Sequence, residues 1–223
     1  MSVGIPDEVD DRGCKLLLTA RERQPLQKMG CPNPFHIDSL NGEESWRLFK
    51  TTAGDFIEAQ EFKSLTENIC KKCGGLPIAI ITLAKALSNK RHSSQWKEAL
   101  RQLKRSSSKN FTRDMKEAYA TIELSYKYLK GEELQKTFLL CSLMRHQAFS
   151  LDLVKYVIGL DIFQGIYTIE EARDKVNALN YDLKDSCLLL NGHTYESFSM
   201  HDFVREVALS IANRDDHVFF REK

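Results

Sequence analysis

The sequence has no excess of either charge and no long apolar run. Its 32 lysine and arginine residues nearly balance 31 aspartate and glutamate residues, leaving a net charge of +1. No overall positive field therefore draws the chain toward nucleic acid or an anionic membrane. The most apolar stretch, residues 76–87, is too short to cross a bilayer and contains Lys85. We expect neither a transmembrane segment nor a general nucleic-acid-binding surface.

The first eleven residues lack the basic start and apolar run of a secretory signal. We therefore expect a cytoplasmic protein whose six cysteines are reduced. Cys70 and Cys73 have the spacing of a redox or zinc motif, but no second ligand pair at a similar spacing is evident. Cys73 continues an apolar helical stripe with Phe62, Leu65 and Ile69, so we interpret it as a small core residue. We expect no metal site and no reactive thiol.

What the sequence does contain is typical of a folded, mainly α-helical protein. Apolar residues make up 42% and charged residues 28%, which argues against disorder. Residues 1–40 hold the apolar run Lys15-Leu-Leu-Leu-Thr19, typical of a strand buried on both faces of a parallel sheet. One parallel strand cannot form a fold by itself. Either its partners come from sequence absent here, or this end is poorly ordered.

Residues 41–110 are predicted to form a bundle of four helices. Gly74-Gly75 supplies a C-terminal stop to the helix that ends near Cys73. Pro77 then opens a helix that is apolar nearly all round, at a position where its missing N–H costs nothing. We predict that this helix is the central, buried one, and that Ser94 caps the next.

Residues 111–223 are predicted to form a winged-helix domain. Ser150 is predicted to cap one helix, and Thr168 with Glu171 has the spacing of a capping box before another. Asn191-Gly192 then separates two extended segments, which is a strong hairpin signal. A last helix is predicted over residues 203–212.

Three short segments carry residues suited to a ligand. Arg21 follows the end of the predicted strand, where ligands bind in open α/β sheets, and its guanidinium suits a phosphate. At Gly75-Leu76-Pro77, glycine permits a turn and proline offers a flat apolar surface to a ring such as adenine. His201 and Asp202 begin the last helix, where His201 can donate to an anion and Asp202 can cap the helix. Taken singly, each segment also has a purely structural explanation. Arg21 could be an ordinary solvated arginine, Gly75-Leu76-Pro77 an ordinary junction between helices, and His201-Asp202 an ordinary capped helix start.

Four segments occur in order along the chain: Gly13-Cys-Lys-Leu-Leu-Leu-Thr-Ala-Arg21, Gly74-Gly-Leu-Pro-Ile-Ala79, Phe138-Leu-Leu-Cys-Ser-Leu143 and Met200-His-Asp202. Together they resemble the C-terminal two-thirds of the NB-ARC domain of plant disease-resistance proteins, of the coiled-coil, leucine-rich-repeat type. The resemblance covers almost the whole chain. It implies the remnant of a nucleotide-binding α/β domain over residues 1–40, a helical bundle (ARC1-like) over 41–110 and a winged helix (ARC2-like) over 111–223.

This resemblance implies ADP/ATP-dependent signalling in plant defence. Arg21 would detect the γ-phosphate, and Pro77, in the nucleotide-binding turn Gly75-Leu76-Pro77, would pack near the adenine. His201, supported by Asp202, would contact the β-phosphate of ADP. Exchange of ADP for ATP would then shift a two-state equilibrium in the position of the winged helix. The implied partners are the nucleotide-binding segment and leucine-rich repeats of a full receptor, and other immune receptors.

The sequence departs from the family in its phosphate-binding elements. It contains no G-x-x-x-x-G-K-[ST] loop and no apolar strand ending in magnesium-binding acids. We therefore expect no enzyme, because phosphoryl transfer depends on those parts, and weak or no binding of ADP or ATP. The missing parts are expected upstream of Met1, and the leucine-rich repeats after the winged helix.

Two alternatives remain: a winged-helix DNA-binding protein and an interaction module that binds no nucleotide. The candidate recognition helix, residues 168–185, carries five acidic residues against three basic ones. Such a helix is poorly suited to a phosphate backbone, so we expect no DNA partner.

Overall fold

The computed structural model describes residues 17–20, 22–31, 34–105 and 113–215, without the side chains of residues 105 and 113–115. The chain divides into two compact units, residues 1–38 and residues 39–223. The described part of the first unit contains one short helix, α1 (Arg23–Lys28), while residues 17–20 and 34–38 lie in neither helix nor strand.

The strand predicted over Lys15–Thr19 is not formed in the part that the structure describes. Residues 17–19 are assigned to no strand. A strand needs a hydrogen-bonded neighbour, and the only sheet among the described residues lies within residues 148–199. The other residues of the run, and Arg21 after it, lie outside the described residues.

A helical bundle opens the second unit, as predicted. Local signals define its helix starts: Asn41 and Glu44 form a capping box, and Pro77 occupies the first turn of the apolar helix. That helix is buried on most sides, which confirms its predicted central place. The elements are α2 (Gly42–Ala53), a 3₁₀ helix (Asp55–Glu58), α3 (Gln60–Lys71), α4 (Pro77–Leu87) and α5 (Ser93–Arg105).

The bundle core is built around Trp96, which is fully buried. Three phenylalanine rings meet its indole edge-on, Phe49 at 6.4 Å, Phe56 at 6.1 Å and Phe62 at 6.0 Å between centroids. Its Nε1 donates a hydrogen bond to the carbonyl oxygen of Lys90 at 2.8 Å. The indole therefore fixes α5 against α2, α3 and the loop before α5, with its polar atom satisfied.

A winged helix follows, with the order helix, strand, two helices and a hairpin. Its three-stranded antiparallel sheet places β3 in the centre, with Ala148 opposite Phe198 and Leu190 opposite Ser199. The elements are α6 (Arg113–Lys127), α7 (Glu132–Leu143), β1 (Ala148–Phe149), α8 (Ser150–Gly159), α9 (Ile169–Asp185), β2 (Leu190–Asn191), β3 (Ser197–Ser199) and α10 (Asp202–Arg214).

Some predictions made from helix-capping and turn signals are confirmed, and others are wrong. The capping box of Thr168 with Glu171 is confirmed, and so is the hairpin. Its turn is wider than two residues, because Asn191 lies in β2 and the loop spans residues 192–196. Ser94 and Ser150 are not caps: both lie within helices, and α8 begins after Phe149 without a side-chain cap.

Helix α6 joins the two halves of this unit. Ala118, Ala120 and Leu124 contribute to the bundle core. Tyr119, Ile122 and Tyr126 contribute to the core of the winged helix. One helix is therefore buried from both sides, and the two cores meet along it.

A buried carboxylate on α6 should make this junction sensitive to pH. Glu123, with a side chain 7% exposed, pairs with Arg214 at 2.8 Å and Lys127 at 3.0 Å. Burial opposes its ionisation, but the hydrogen bonds from Lys127 and Arg214 outweigh this and lower its pKa. A lowered pKa stabilises the fold above the unfolded-state value, and that stability is lost as pH falls through the folded-state value.

We therefore expect Glu123→Gln to lower the free energy of unfolding by ~1–2 kcal/mol at neutral pH. This difference from the parent chain should shrink on acidification, because the parent loses the same ion pairs. Urea unfolding at several pH values measures it, with Glu61→Gln on exposed α3 surface as control. A difference that stays constant through the acid range would contradict the assignment.

Candidate functional site

The turn between α3 and α4 depends on glycine at position 75. Gly75 has φ +72°, and its carbonyl oxygen accepts a hydrogen bond from the Leu40 N–H at 2.9 Å. A Cβ at this position would lie 2.4 Å from the Leu40 carbonyl oxygen. Only glycine fits both the conformation and the close approach of the two backbones. The sequence pattern identified the glycine but missed its partner, because Leu40 is 35 positions away along the chain.

Leu76 and Pro77 carry the chain from this turn into α4. Leu76 is the N-cap residue and packs against the bundle core. Pro77 is exposed, while the next residue, Ile78, packs against the winged-helix core. Pro77 thus presents its ring to solvent between two anchored neighbours. A groove of about 510 Å³ beside α2 includes Gly74 and Gly75, with the Trp46 side chain on its wall.

His201, not Asp202, caps α10. The imidazole Nδ1 of His201 accepts a hydrogen bond from the Phe203 N–H at 3.1 Å, so in the neutral ring the proton is on Nε2. The prediction that Asp202 caps this helix is wrong: the N-cap is His201, the residue before the first turn, and Asp202 lies inside that turn. Both side chains are exposed.

The junction at Pro77 and the start of α10 both border the seam between the two cores. Phe203, next to Asp202, packs against both cores, and Ile78, next to Pro77, packs against the winged-helix core. No hydrogen bond joins the two segments within the described part of the chain. Two of the three predicted segments therefore lie beside the same seam, next to residues that pack into it. The third, Arg21, lies outside the described residues.

The segment Phe138–Leu143 has a structural role. Phe138 and Leu139 are fully buried in the winged-helix core. At the end of α7, the Arg205 guanidinium donates to the carbonyl oxygens of Ser142 at 2.6 Å and Met144 at 2.5 Å. A cation at this position satisfies carbonyls that a helix C-terminus leaves unpaired. Arg205, which the sequence analysis missed, thus anchors α10 and its capping histidine to α7.

The cysteine pair is structural, as predicted. Cys70 and Cys73 are free thiols in the bundle core, with exposures of 5% and 0%. Burial raises the pKa of Cys70 to about 11 and that of Cys73 well above its ordinary value. Both therefore remain protonated at neutral pH, which disfavours nucleophilic and metal-binding chemistry.

The described ranges contain neither a candidate metal site nor a membrane-spanning helix. No group of three or more histidine, cysteine or acidic side chains there has the arrangement of a metal site. None of the helices described is both long and apolar enough to traverse a bilayer.

These features define a helical bundle and a winged helix that share one helix, with two exposed motif segments at their seam. No protein-family model matches the chain. It is similar to three proteins of Arabidopsis thaliana: it is 29% identical over 220 residues to Disease resistance protein At4g27190, 30% over 211 to Probable disease resistance protein At4g27220, and 32% over 222 to Disease resistance protein RPS5. The alignments cover 93–96% of this chain but only 22–24% of each relative.

The chain is thus distantly homologous, over nearly its whole length, to plant disease resistance proteins. It spans less than a quarter of those relatives. The predicted relation to this group is confirmed at that level. The NB-ARC assignment, the three domain limits and the roles of the site residues stay predictions.

Proposed function

We propose that this chain is the sensing part of an ADP/ATP-dependent switch in a cytoplasmic plant defence receptor. The observation that carries the proposal is the hydrogen bonding of the His201 imidazole. Its Nδ1 is engaged by the Phe203 N–H, so its exposed Nε2–H is left as a donor at the positive end of a helix. That arrangement suits a phosphate oxygen of ADP, and Asp202 beside it would support the contact.

The start of α4 supports the same proposal from the adenine side. The Pro77 ring is exposed and held in place by its anchored neighbours, Leu76 and Ile78. Gly75 allows the chain to turn there without a side chain in the way. A rigid apolar surface of this kind suits a planar base. Arg21 would add the γ-phosphate contact that the family resemblance implies.

The seam gives the proposed switch a physical basis. Phe203 packs against both cores and follows directly after the residues that would meet the phosphate. A ligand that binds one arrangement of the two cores better than another shifts the population toward it. Bound nucleotide would supply the negative charge that the histidine senses. This chain has no phosphate-binding loop, so we propose a sensor rather than an enzyme.

The proposal is tested by titrating the ¹⁵N-labelled chain with ADP and following amide resonances. We expect weak binding, with shifts concentrated around Ile78 and Phe203. His201→Ser should remove the shifts near Phe203, because serine keeps a helix cap but has no imidazole. His193→Ser in the exposed hairpin loop is the matched control and should behave like the parent chain.

Shifts confined to other surfaces, or the same shifts in His201→Ser, would contradict the proposed contact. ADP binding with a dissociation constant of roughly 1 μM or lower would contradict the incomplete site, since that corresponds to about 8 kcal/mol of binding free energy without a phosphate loop. A thermal melt of each variant confirms that the fold is retained.

A further inference from the structure

The winged helix has an exposed apolar groove between the end of α7, β1 and one face of α8, here called the α7–α8 groove. Its volume is about 1130 Å³, above the usual range of small-molecule pockets. Its floor is continuous with the core, because Leu140 and Ala148 are only 3% and 4% exposed. Four larger apolar side chains on its walls remain 41–54% exposed: Leu143, Phe149, Tyr156 and Leu160. A recessed apolar surface of this size suits a macromolecular partner.

Helix α8 has two apolar faces, and the groove exposes one of them. Three of its side chains are buried in the winged-helix core: Leu153, Val154 and Val157. Phe149, Tyr156 and Leu160 follow one another at spacings of seven and four residues, so they form a second stripe along the helix. A helix that is apolar on nearly all sides is normally buried. The second stripe has the spacing of side chains that pack against another helix.

The rim of the groove carries a net positive charge. Arg145 is exposed and forms no ion pair with any described residue. Lys155 pairs with Asp152 at 2.9 Å, and Asp152 is the single acidic side chain that the described residues contribute to the lining. Two cations therefore stand against one carboxylate beside the apolar stripe. Charges placed in this way select and orient a partner of opposite sign.

Three other occupants fit the groove less well than a helix. β1 has only two residues, too short an edge to pair with an added strand. A bilayer surface meets protruding apolar side chains rather than recessed ones. The acidic helix α9 of a second copy has no free apolar stripe to offer, because its own is buried in its own core: Ala172, Val176 and Leu183.

We propose that the α7–α8 groove binds an amphipathic, acidic helix of a partner protein. The apolar side chains of that helix pack against the stripe of Phe149, Tyr156 and Leu160. Aspartate or glutamate side chains beside its apolar face pair with Arg145 and Lys155. The groove contains none of the residues of the proposed nucleotide switch and does not depend on that proposal.

Fluorescence anisotropy of labelled peptides with the full 223-residue chain tests this groove. The peptides are about 18 residues long, with leucine, methionine or phenylalanine at helical spacing and glutamate on both flanks. We expect saturable binding of at least one of them. Lysine in place of its glutamates should weaken that binding by about tenfold or more.

Two variants of the chain test the two halves of the recognition. Tyr156→Ala should weaken peptide binding by about tenfold or more, whereas Tyr167→Ala, an exposed tyrosine outside the groove, is the matched control. Arg145→Glu should reverse the charge preference, so that the lysine peptide binds better than the glutamate peptide. Arg173→Glu on α9, also outside the groove, should keep the original preference.

Several outcomes would overturn the proposal. These are no binding of any of the glutamate peptides to a chain that circular dichroism shows to be folded, unchanged affinity in Tyr156→Ala, and an unchanged charge preference in Arg145→Glu. Because both side chains are exposed, these variants should retain the fold. Binding to anionic lipid vesicles, or self-association in sedimentation, that Tyr156→Ala removes without any peptide binding would assign the groove to a membrane or to a second copy instead.

Discussion

Gly75→Ala is expected to lower the free energy of unfolding of residues 39–223 by ~3–4 kcal/mol. The alanine would have to adopt φ +72°, and its Cβ would meet the Leu40 carbonyl oxygen at 2.4 Å. Backbone cannot swing aside as a flexible side chain can, so the α3–α4 turn must open. The hydrogen bond from the Leu40 N–H to the Gly75 carbonyl should be lost with it. Urea unfolding followed by circular dichroism measures the change.

Gly165→Ala separates the two causes of that effect. Gly165 has nearly the same φ, +70°, but a Cβ there meets nothing within 4 Å. Only the conformational cost of ~1 kcal/mol should remain. Equal losses in the two variants would show that the close approach of Leu40 to Gly75 does not stabilise the fold.

Trp96→Ala should lower the free energy of unfolding of the bundle by ~3–5 kcal/mol. The fully buried indole meets three phenylalanine rings, and its Nε1 donates to the Lys90 carbonyl oxygen. Truncation leaves a cavity among these rings and a carbonyl without its donor. The bundle amides should exchange with solvent faster, while those of the winged-helix core should be affected less.

The other tryptophan provides the control. Trp46 on α2 is only partly buried against the same core, so Trp46→Ala should cost less than half as much. Unfolding in urea with both variants side by side measures the difference. If the two variants lose similar stability, Trp96 is not the centre of the bundle.

Features encoded within a few neighbouring residues could be predicted from the sequence. The capping box at Thr168, the proline start of α4 and the hairpin near Asn191 each depend on local backbone chemistry. The position of Cys73 in the core followed from its place in an apolar helical stripe. These signals were enough for the mainly helical class and for the winged helix.

Features that depend on distant residues could not be predicted in this way. The Arg205 contacts at the end of α7 join residues more than sixty positions apart. An apolar run such as Lys15–Thr19 indicates a buried strand only if partner strands exist. The net negative charge of α9 suggested that the helix would repel anions. The helical positions of Arg173 and Lys184 instead place both cations in the lining of one pocket beside the start of α8.

We propose that this chain senses a nucleotide whose phosphate-binding loop it does not itself contain. The most direct measurement joins residues 1–223 to a segment of a plant resistance protein that carries a G-x-x-x-x-G-K-[ST] loop, and determines the ADP affinity of the fusion by calorimetry. We predict that the fusion binds ADP, and that His201→Ser weakens this binding by about tenfold or more. A folded fusion that binds no ADP, or that binds it equally well with serine at position 201, would contradict the account.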